Sequence, residues 1–410
     1  MTTPARMAFV VVLACALVPR GTAQLPGFVS TRGESILGGD GRPLLLRGIN
    51  LGNWLVPEGY MFKFKSATSP RMIHEVIAQL AGPDEAQSFW KEYRDRYITR
   101  NDIRFIARRG FNSVRVPFNF RLLTPEDHPG LWCEDGFALL DSVIGWCREE
   151  GLLVVLDMHC APGGQTGDNI DDSWGYPWLM EDSRAQRRTA EVWKTLAARY
   201  SGETTILGYD LLNEPIPPFF DTTALNPRLE PLYRMIVRNI RDVDTNHVVI
   251  LGGAQWDGNL RVFGPPFDAR VVYTFHRYWT DTAKSVIGDI LEFRERVRVP
   301  VWMGESGENN DAWIGGFRRM LERESIGWAF WPYKKMDATS SPVTFPRPPF
   351  WEDIVAFADG PRTTFAQVRE RRPPPDRVRA ALRGFLDSCR FDRCRVNEGY
   401  LRALGLKQDH

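Results

Sequence analysis

Two glutamates draw attention because of the residues that lead into them. Ile206 to Leu212 is a short apolar run that stops abruptly at Asn213-Glu214-Pro215, and Pro300-Val301-Trp302-Met303-Gly304 leads in the same manner into Glu305-Ser306. Apolar runs of this length belong to strands buried on both faces of a parallel sheet. A carboxylate at the carboxyl end of such a strand is where an α/β barrel keeps its chemistry. Two of them in one barrel suit the cleavage of a glycosidic bond, one carboxyl protonating the leaving oxygen and the other attacking the anomeric carbon. For that retaining route the pair must stand about 5–5.5 Å apart, in environments that separate their pKa values.

Other expected strand ends carry polar or aromatic groups as well. Arg115 lies near the end of the second strand and His159 at the end of the third; Asn213 precedes Glu214 on the fourth. His276 and Tyr278 follow the sixth, and Trp331 ends the eighth. Singly, each has a plainer reading, because a rim arginine or histidine is usually a structural hydrogen-bonding residue and a lone tryptophan is usually core. Six strand ends with converging groups weigh the other way. Glu308 falls outside its strand, Asp157 sits two residues further from the rim than His159 and reads as structural, and His74 and His128 have no evident partners.

The elements that must hold these residues follow a regular rhythm. Phe28–Leu37 and Arg42–Ile49 flank Gly38-Gly39-Asp40-Gly41, a hairpin turn, and the second arm continues into barrel strand one at Leu44–Asn50. Further strands are expected at 111–116, 152–159, 247–251, 271–275 and 326–331, with the two glutamate strands completing eight. Helices are expected to end at Arg109 and to span 136–150, 183–200 (capped by Ser183), 231–243, 285–296 and 312–324. Pro342 to Arg377, rich in proline and arginine, reads as an extended loop, after which Ala380–Leu386 closes the barrel as a last helix. Eight βα units predict a single (β/α)8 TIM barrel with an N-terminal β-hairpin. No GxGxxG follows the first strand and no Walker pattern occurs, which argues against nucleotide-binding folds.

A formal net charge of +1 over 410 residues gives no reason to expect nucleic acid as a partner. Arg6, the apolar run Met7–Val18 and the small residues Gly21-Thr22-Ala23 predict a secretory leader over 1–23, with one domain over 24–410. That run is shorter than the roughly 20 residues a membrane span needs, so the expected product is secreted, extracellular or periplasmic, without a membrane span, and a monomer. The rival reading of Leu13-Ala14-Cys15 makes Cys15 a lipid anchor. Cys133, Cys147, Cys160, Cys389 and Cys394 remain, an odd number, with Cys389–Cys394 and Cys133–Cys147 as possible disulfides. No CxxC or His-x3-His pattern suggests a metal site.

In order along the chain, Arg115-Val116-Pro117, His159, Asn213-Glu214-Pro215, His276-x-Tyr278, Gly304-Glu305 and Trp331 resemble the pattern of glycoside hydrolase family 5, the cellulase-like retaining hydrolases of clan A. The resemblance spans residues 28–335. It implies Glu214 as acid/base and Glu305 as nucleophile, with Arg115 and Tyr278 hydrogen-bonded to Glu305. It further implies that Asn213 bonds the sugar 2-hydroxyl, that His159 and His276 bond sugar or catalytic carboxylate, and that Trp331 floors the −1 subsite.

Arg47 to Glu58 is similar to the opening motif of the exo-β-1,3-glucanase branch, which implies that Glu58 binds hydroxyls of the terminal glucose and helps close the pocket. His159-Cys160-Ala161-Pro162-Gly163-Gly164-Gln165 also resembles that branch, with Cys160 in place of a glycine. The longer acidic continuation makes Asp171 or Asp172 a candidate contact to that sugar. Trp54, Trp174, Trp178 and Trp256 are candidate stacking platforms. The expected partner is a β-linked oligosaccharide or polysaccharide, cut from the non-reducing end without metal or other cofactor. Endo-acting glucanase or mannanase activity is the alternative within the family, and a non-catalytic carbohydrate-binding barrel is the alternative outside it.

Overall fold

In the computed structural model, which describes residues 27–407, side chains alternate along each barrel strand between two environments. On β5 (Leu153–Cys160), Leu153 and Val155 join an inner cluster with Ile250, Val272, Trp302 and Ala329. Val154, Leu156 and Met158 point outward into the larger core beneath the helices. This period of two is the geometry of a strand covered on both faces. The inner cluster also takes in Val29 and Ile36, which flank or belong to the antiparallel hairpin β1 (Ser30–Arg32) and β2 (Ser35–Leu37), so the hairpin plugs the amino-terminal mouth of the barrel.

The other barrel strands are β3 (Arg47–Asn50), β4 (Ser113–Asn119), β6 (Ile206–Asp210), β7 (Val248–Gly252), β8 (Val271–His276), β9 (Val301–Glu305) and β10 (Trp328–Phe330). With β5 they close a parallel eight-stranded barrel, β10 pairing with both β3 and β9. Register brings the chemical residues together: Asn50 pairs with Arg115, Asp157 with Asp210, and His276 with Glu305 beyond an irregularity at Phe275. The expected (β/α)8 barrel with its N-terminal hairpin is therefore the fold.

Several element boundaries differ from expectation, each for a local reason. The helix over Ser183–Tyr200 has the expected limits, but its cap is Asp182, which accepts from the amide of Arg184. The helix expected from Pro231 begins at Thr222, capped by Asp221; Pro227 and Pro231 both lie inside it, and Leu225, Leu229 and Leu232 bury its inner face. Pro231, expected as the first residue of this helix, is an interior one.

The stretch 342–377 is not an extended loop. It contains β12 (Val343–Phe345), which pairs with β11 (Lys334–Met336) and β13 (Arg395–Val396), followed by helices at Trp351–Asp359 and Phe365–Arg371. Residues 380–386 belong to a longer helix, Pro375–Ser388, which packs on the helices Pro70–Ala81 and Pro83–Tyr97 rather than closing the ring of strands. Aromatic burial drives this: Phe385 stacks on Phe62 at 5.1 Å and meets Trp351 at 4.7 Å between ring centres.

All five cysteines of the described residues are free thiols, so neither anticipated disulfide forms. The expected leader and Cys15 lie outside the described residues. Among the described residues, no helix is long and apolar enough to cross a membrane.

Candidate active site

At the carboxyl-terminal mouth of the barrel, one guanidinium organises the floor. Arg115 is fully buried and donates from Nε to Asp210 (2.8 Å), from Nη2 to Asn213 (2.9 Å), and from Nη1 to Asn50 (3.1 Å) and to Glu305. Asp157 lies 3.1 Å from Nη2. An arginine fork can serve this many acceptors at once, which a lysine cannot. Burial raises the carboxyls of Asp157 and Asp210 to about 7, against the opposing pull of Arg115.

Above this layer stand the two glutamates. The amide of Glu214 donates to Asp257, and its carboxylate lies 2.7 Å from His276 Nδ1. Glu214 and Ile216 both have left-handed backbone, with φ of 49° and 56°, a costly conformation that the surrounding contacts hold in place. Gln165 supplies part of that hold by donating to the carbonyls of His159 and Asn213, and Thr166 donates to the carbonyl of Glu214. Glu305 ends β9, takes Arg115 on one carboxylate oxygen and accepts from the Tyr278 hydroxyl on the other at 3.1 Å.

The environments of the two carboxyls differ in kind. Burial lifts Glu214 well above the usual carboxyl range, and the charges of Glu305 and Asp257 push it further. Burial raises Glu305 too, but the adjoining Arg115 opposes it. One carboxyl is thus favoured as the proton carrier and the other as the anion. Burial also keeps both histidines neutral: His159 falls to about 3, and His276 lies well below the usual imidazole value. Neutral His159 can donate from Nδ1 to Asp157, 2.7 Å away, leaving Nε2 as the acceptor for the Asn213 amide at 3.4 Å. Its ring stacks on Trp331 at 5.5 Å.

A cavity of about 630 Å³ opens over this arrangement, lined by Glu58, His159, Asn213, Glu214, His276, Tyr278, Glu305 and Trp331. The eight lining candidates and Arg115 beneath them are therefore one constellation. Ligand atoms of Glu214, His276 and Glu305 lie within 4.8 Å of one another, the one grouping among the described residues close enough for a metal ion. His276 Nδ1 of that grouping lies 2.7 Å from the Glu214 carboxylate, and Glu305 is held by Arg115 and Tyr278.

Other candidates lie elsewhere. Asp171 is buried as the hub of its own loop, accepting from the amides of Thr166, Gly167 and Ser173. Asp172 is buried against Arg121, Asn119 and Arg71. Neither lines the cavity, whereas Asp168, Asn169 and Ile170 of the same loop do. Trp54 is core, bonded to the Arg94 carbonyl, and Trp174 and Trp178 are exposed away from the cavity; Trp256 alone of the four tryptophans lines it.

The sequence reading missed Asp210, Asp257, Tyr60 and Trp279. Asp210 could have been found by the alternation that places it beside Arg115. Asp257 follows β7 in a turn where Gln255, Trp256 and Asp257 all have positive φ, and no local pattern marks it.

The family model described as cellulase (glycosyl hydrolase family 5) matches residues 75–337. Endoglucanase C of Acetivibrio thermocellus is 29% identical over 313 residues, covering 61% of this chain and 88% of that protein. A probable glucan 1,3-beta-glucosidase A of Aspergillus clavatus is 30% identical over 224 residues, covering 52% of each. Among solved structures, an endogalactoceramidase superposes with a TM-score of 0.60 at 18% identity, over 92% of this chain and 84% of that one, a likeness of fold.

Proposed function

Because this chain belongs to glycosyl hydrolase family 5, and is thus a glycoside hydrolase acting on O-glycosidic bonds with retention, we propose that it removes single sugars from the non-reducing end of β-glucans or β-gluco-oligosaccharides. In this reading Glu305 is the nucleophile and Glu214 the acid/base. A carboxylate oxygen of Glu305 attacks the anomeric carbon while the glycosidic C–O bond breaks, and the Glu214 proton passes to the departing oxygen. Water then attacks the glycosyl-enzyme from the vacated side, Glu214 takes its proton, and the ester to Glu305 breaks. Asn213 bonds the 2-hydroxyl, His159 and His276 orient sugar and acid/base, and Trp331 underlies the reacting sugar. The leader expected over 1–23 would deliver the enzyme outside the cell.

One observation supports the exo assignment: a cluster of mutually bonded side chains stands on one flank of the cavity. There Trp331 Nε1 donates to the Tyr60 hydroxyl at 2.8 Å, Lys335 lies over the Tyr60 ring at 4.7 Å and pairs with Glu308, and Glu58 stands among them. Trp256 and the exposed Trp279 also line the cavity. In this reading a chain end rests against the bonded cluster, and the leaving portion extends past the two tryptophans. The similarity to endoglucanase C favours internal cutting as the second reading.

The test is product analysis over time on laminari-, cello- and manno-oligosaccharides, with the wild type and a Glu305→Ala variant. Glucose as the sole early product, from wild type only, is the expected result. Mixed oligosaccharides from the outset would replace the exo reading with the endo one, and equal activity in the variant would sink the assignment of Glu305.

A further inference from the structure

The chain just past Glu305 is bent at a cost. Gly307 has φ 140° and bridges to Trp331, where a Cβ would come within 2.4 Å of the Trp331 carbonyl oxygen. Glu308 follows with φ 51°, the left-handed region that non-glycine residues avoid. Such backbone persists where its neighbours over-determine it, and it clusters at working sites. Its effect here is to fold the Glu308 side chain back over the barrel mouth. One carboxylate oxygen meets Lys335 there, and the other has no hydrogen-bond partner among the described residues.

Lys335 is itself fixed. It is buried on β11, and its carbonyl accepts from Thr344 on the paired strand at 2.9 Å. Glu58, on the same flank, likewise keeps one buried carboxylate oxygen without a partner, and both glutamates line the cavity. Buried acceptors left unpaired are costly, and a hydrogen-bond donor brought to them recovers that cost. The flank thus offers the Glu308 carboxylate with a lysine held beside it, and the Glu58 carboxyl, which burial and the charges of Glu305 and Glu308 push well above the usual range. It suits a ring with free hydroxyls and repels one bearing a carboxylate.

We propose that Glu308, oriented by Lys335, is a specificity residue of this flank, and that with Glu58 it hydrogen-bonds to hydroxyls of the terminal, unsubstituted, neutral sugar. Lys335 is a positioning residue that acts through Glu308. The inference rests on the exo reading above and adds a residue that the motif resemblance does not assign.

Coupling between a side chain and a hydroxyl tests it. Wild type, Glu308→Gln, Glu308→Ala and Lys335→Met would be assayed on 4-nitrophenyl β-D-glucoside and its 3-, 4- and 6-deoxy analogues, with melting temperatures measured in parallel. Wild type is expected to lose about 10- to 100-fold in kcat/KM for at least one deoxy analogue, the range of a hydrogen bond to a charged group. Both Glu308 variants lose a similar factor on the parent glucoside and no longer discriminate against that analogue. Lys335→Met weakens the same discrimination in part. The Gln variant keeps the size of the side chain, so it separates lost recognition from lost folding. If the Glu308 variants slow all four substrates by one common factor, the residue is structural and the proposal falls. If wild type turns over none of the glucosides, the exo-glucosidase reading falls first, and this inference with it.

Discussion

Arg115 faces three carboxylates and two side-chain amides, and its charge opposes burial most strongly at Glu305, while the charges of Glu305 and Asp257 add to burial at Glu214. Activity should therefore be bell-shaped in pH: lost at low pH as Glu305 takes up a proton, and lost at high pH as Glu214 gives one up. Arg115→Lys removes the fork and weakens the lowering influence on Glu305, so the acid limb should move to higher pH, with kcat/KM down by about 10- to 100-fold. A pH–rate profile checks this; an acid limb that stays in place would refute Arg115 as its cause. Glu214→Gln should abolish the alkaline limb, and its loss should be smallest for glycosides whose leaving group needs no proton. Glu214 and Glu305 were legible because each follows an apolar run, where type and position reinforce one another; Arg115, expected near the end of its strand, lies early in β4, beneath the mouth. Asp257 was not, since it reaches His276 and the Glu214 amide from a turn with three consecutive left-handed residues.

At the scale of elements, the strands were legible because each is a short apolar run, buried along its whole length by cover on both faces. Loops were not. The acidic run after Gly167 read as sugar-binding, yet Asp171 and Asp172 serve to shape the loop that carries Asp168, Asn169 and Ile170 to the cavity. Acidity alone does not say whether a carboxylate faces a ligand or its own backbone. Asp172→Ala should lower stability by about 1–3 kcal/mol, the cost of leaving its hydrogen-bonded partners unsatisfied, and raise KM through the displaced loop with less effect on kcat. Thermal melts and steady-state kinetics on the variant would test both, and an unchanged melting temperature would contradict the clamp. Proline misled in the opposite sense, since Pro227 and Pro231 lie inside a helix that Asp221 caps and an apolar face holds.

For the whole molecule, the last third of the chain is tied to the first by a buried lysine. Lys334 Nζ lies 2.6 Å from Asp102 and donates to the carbonyls of Tyr97 and Cys389, joining β11 to the early helices and to the end of the helix Pro375–Ser388. A lysine in sequence reads as a surface residue, so nothing announced this link. Lys334→Met leaves Asp102 buried without its cation and should cost about 3–5 kcal/mol in denaturant unfolding; a loss below 1 kcal/mol would show the tie to be dispensable.

The exposed Trp279 also bears on how a glycosyl-enzyme would end its life in the proposed reaction. On the exo reading, in which the sugar rests against Glu58 and Tyr60, an acceptor would reach Glu305 past Trp256 and Trp279, where a second saccharide can stack. Raising the oligosaccharide concentration should therefore divert turnover from breakdown to synthesis, yielding products longer than the starting chain. Trp279→Ala should lower that ratio while sparing the release of glucose.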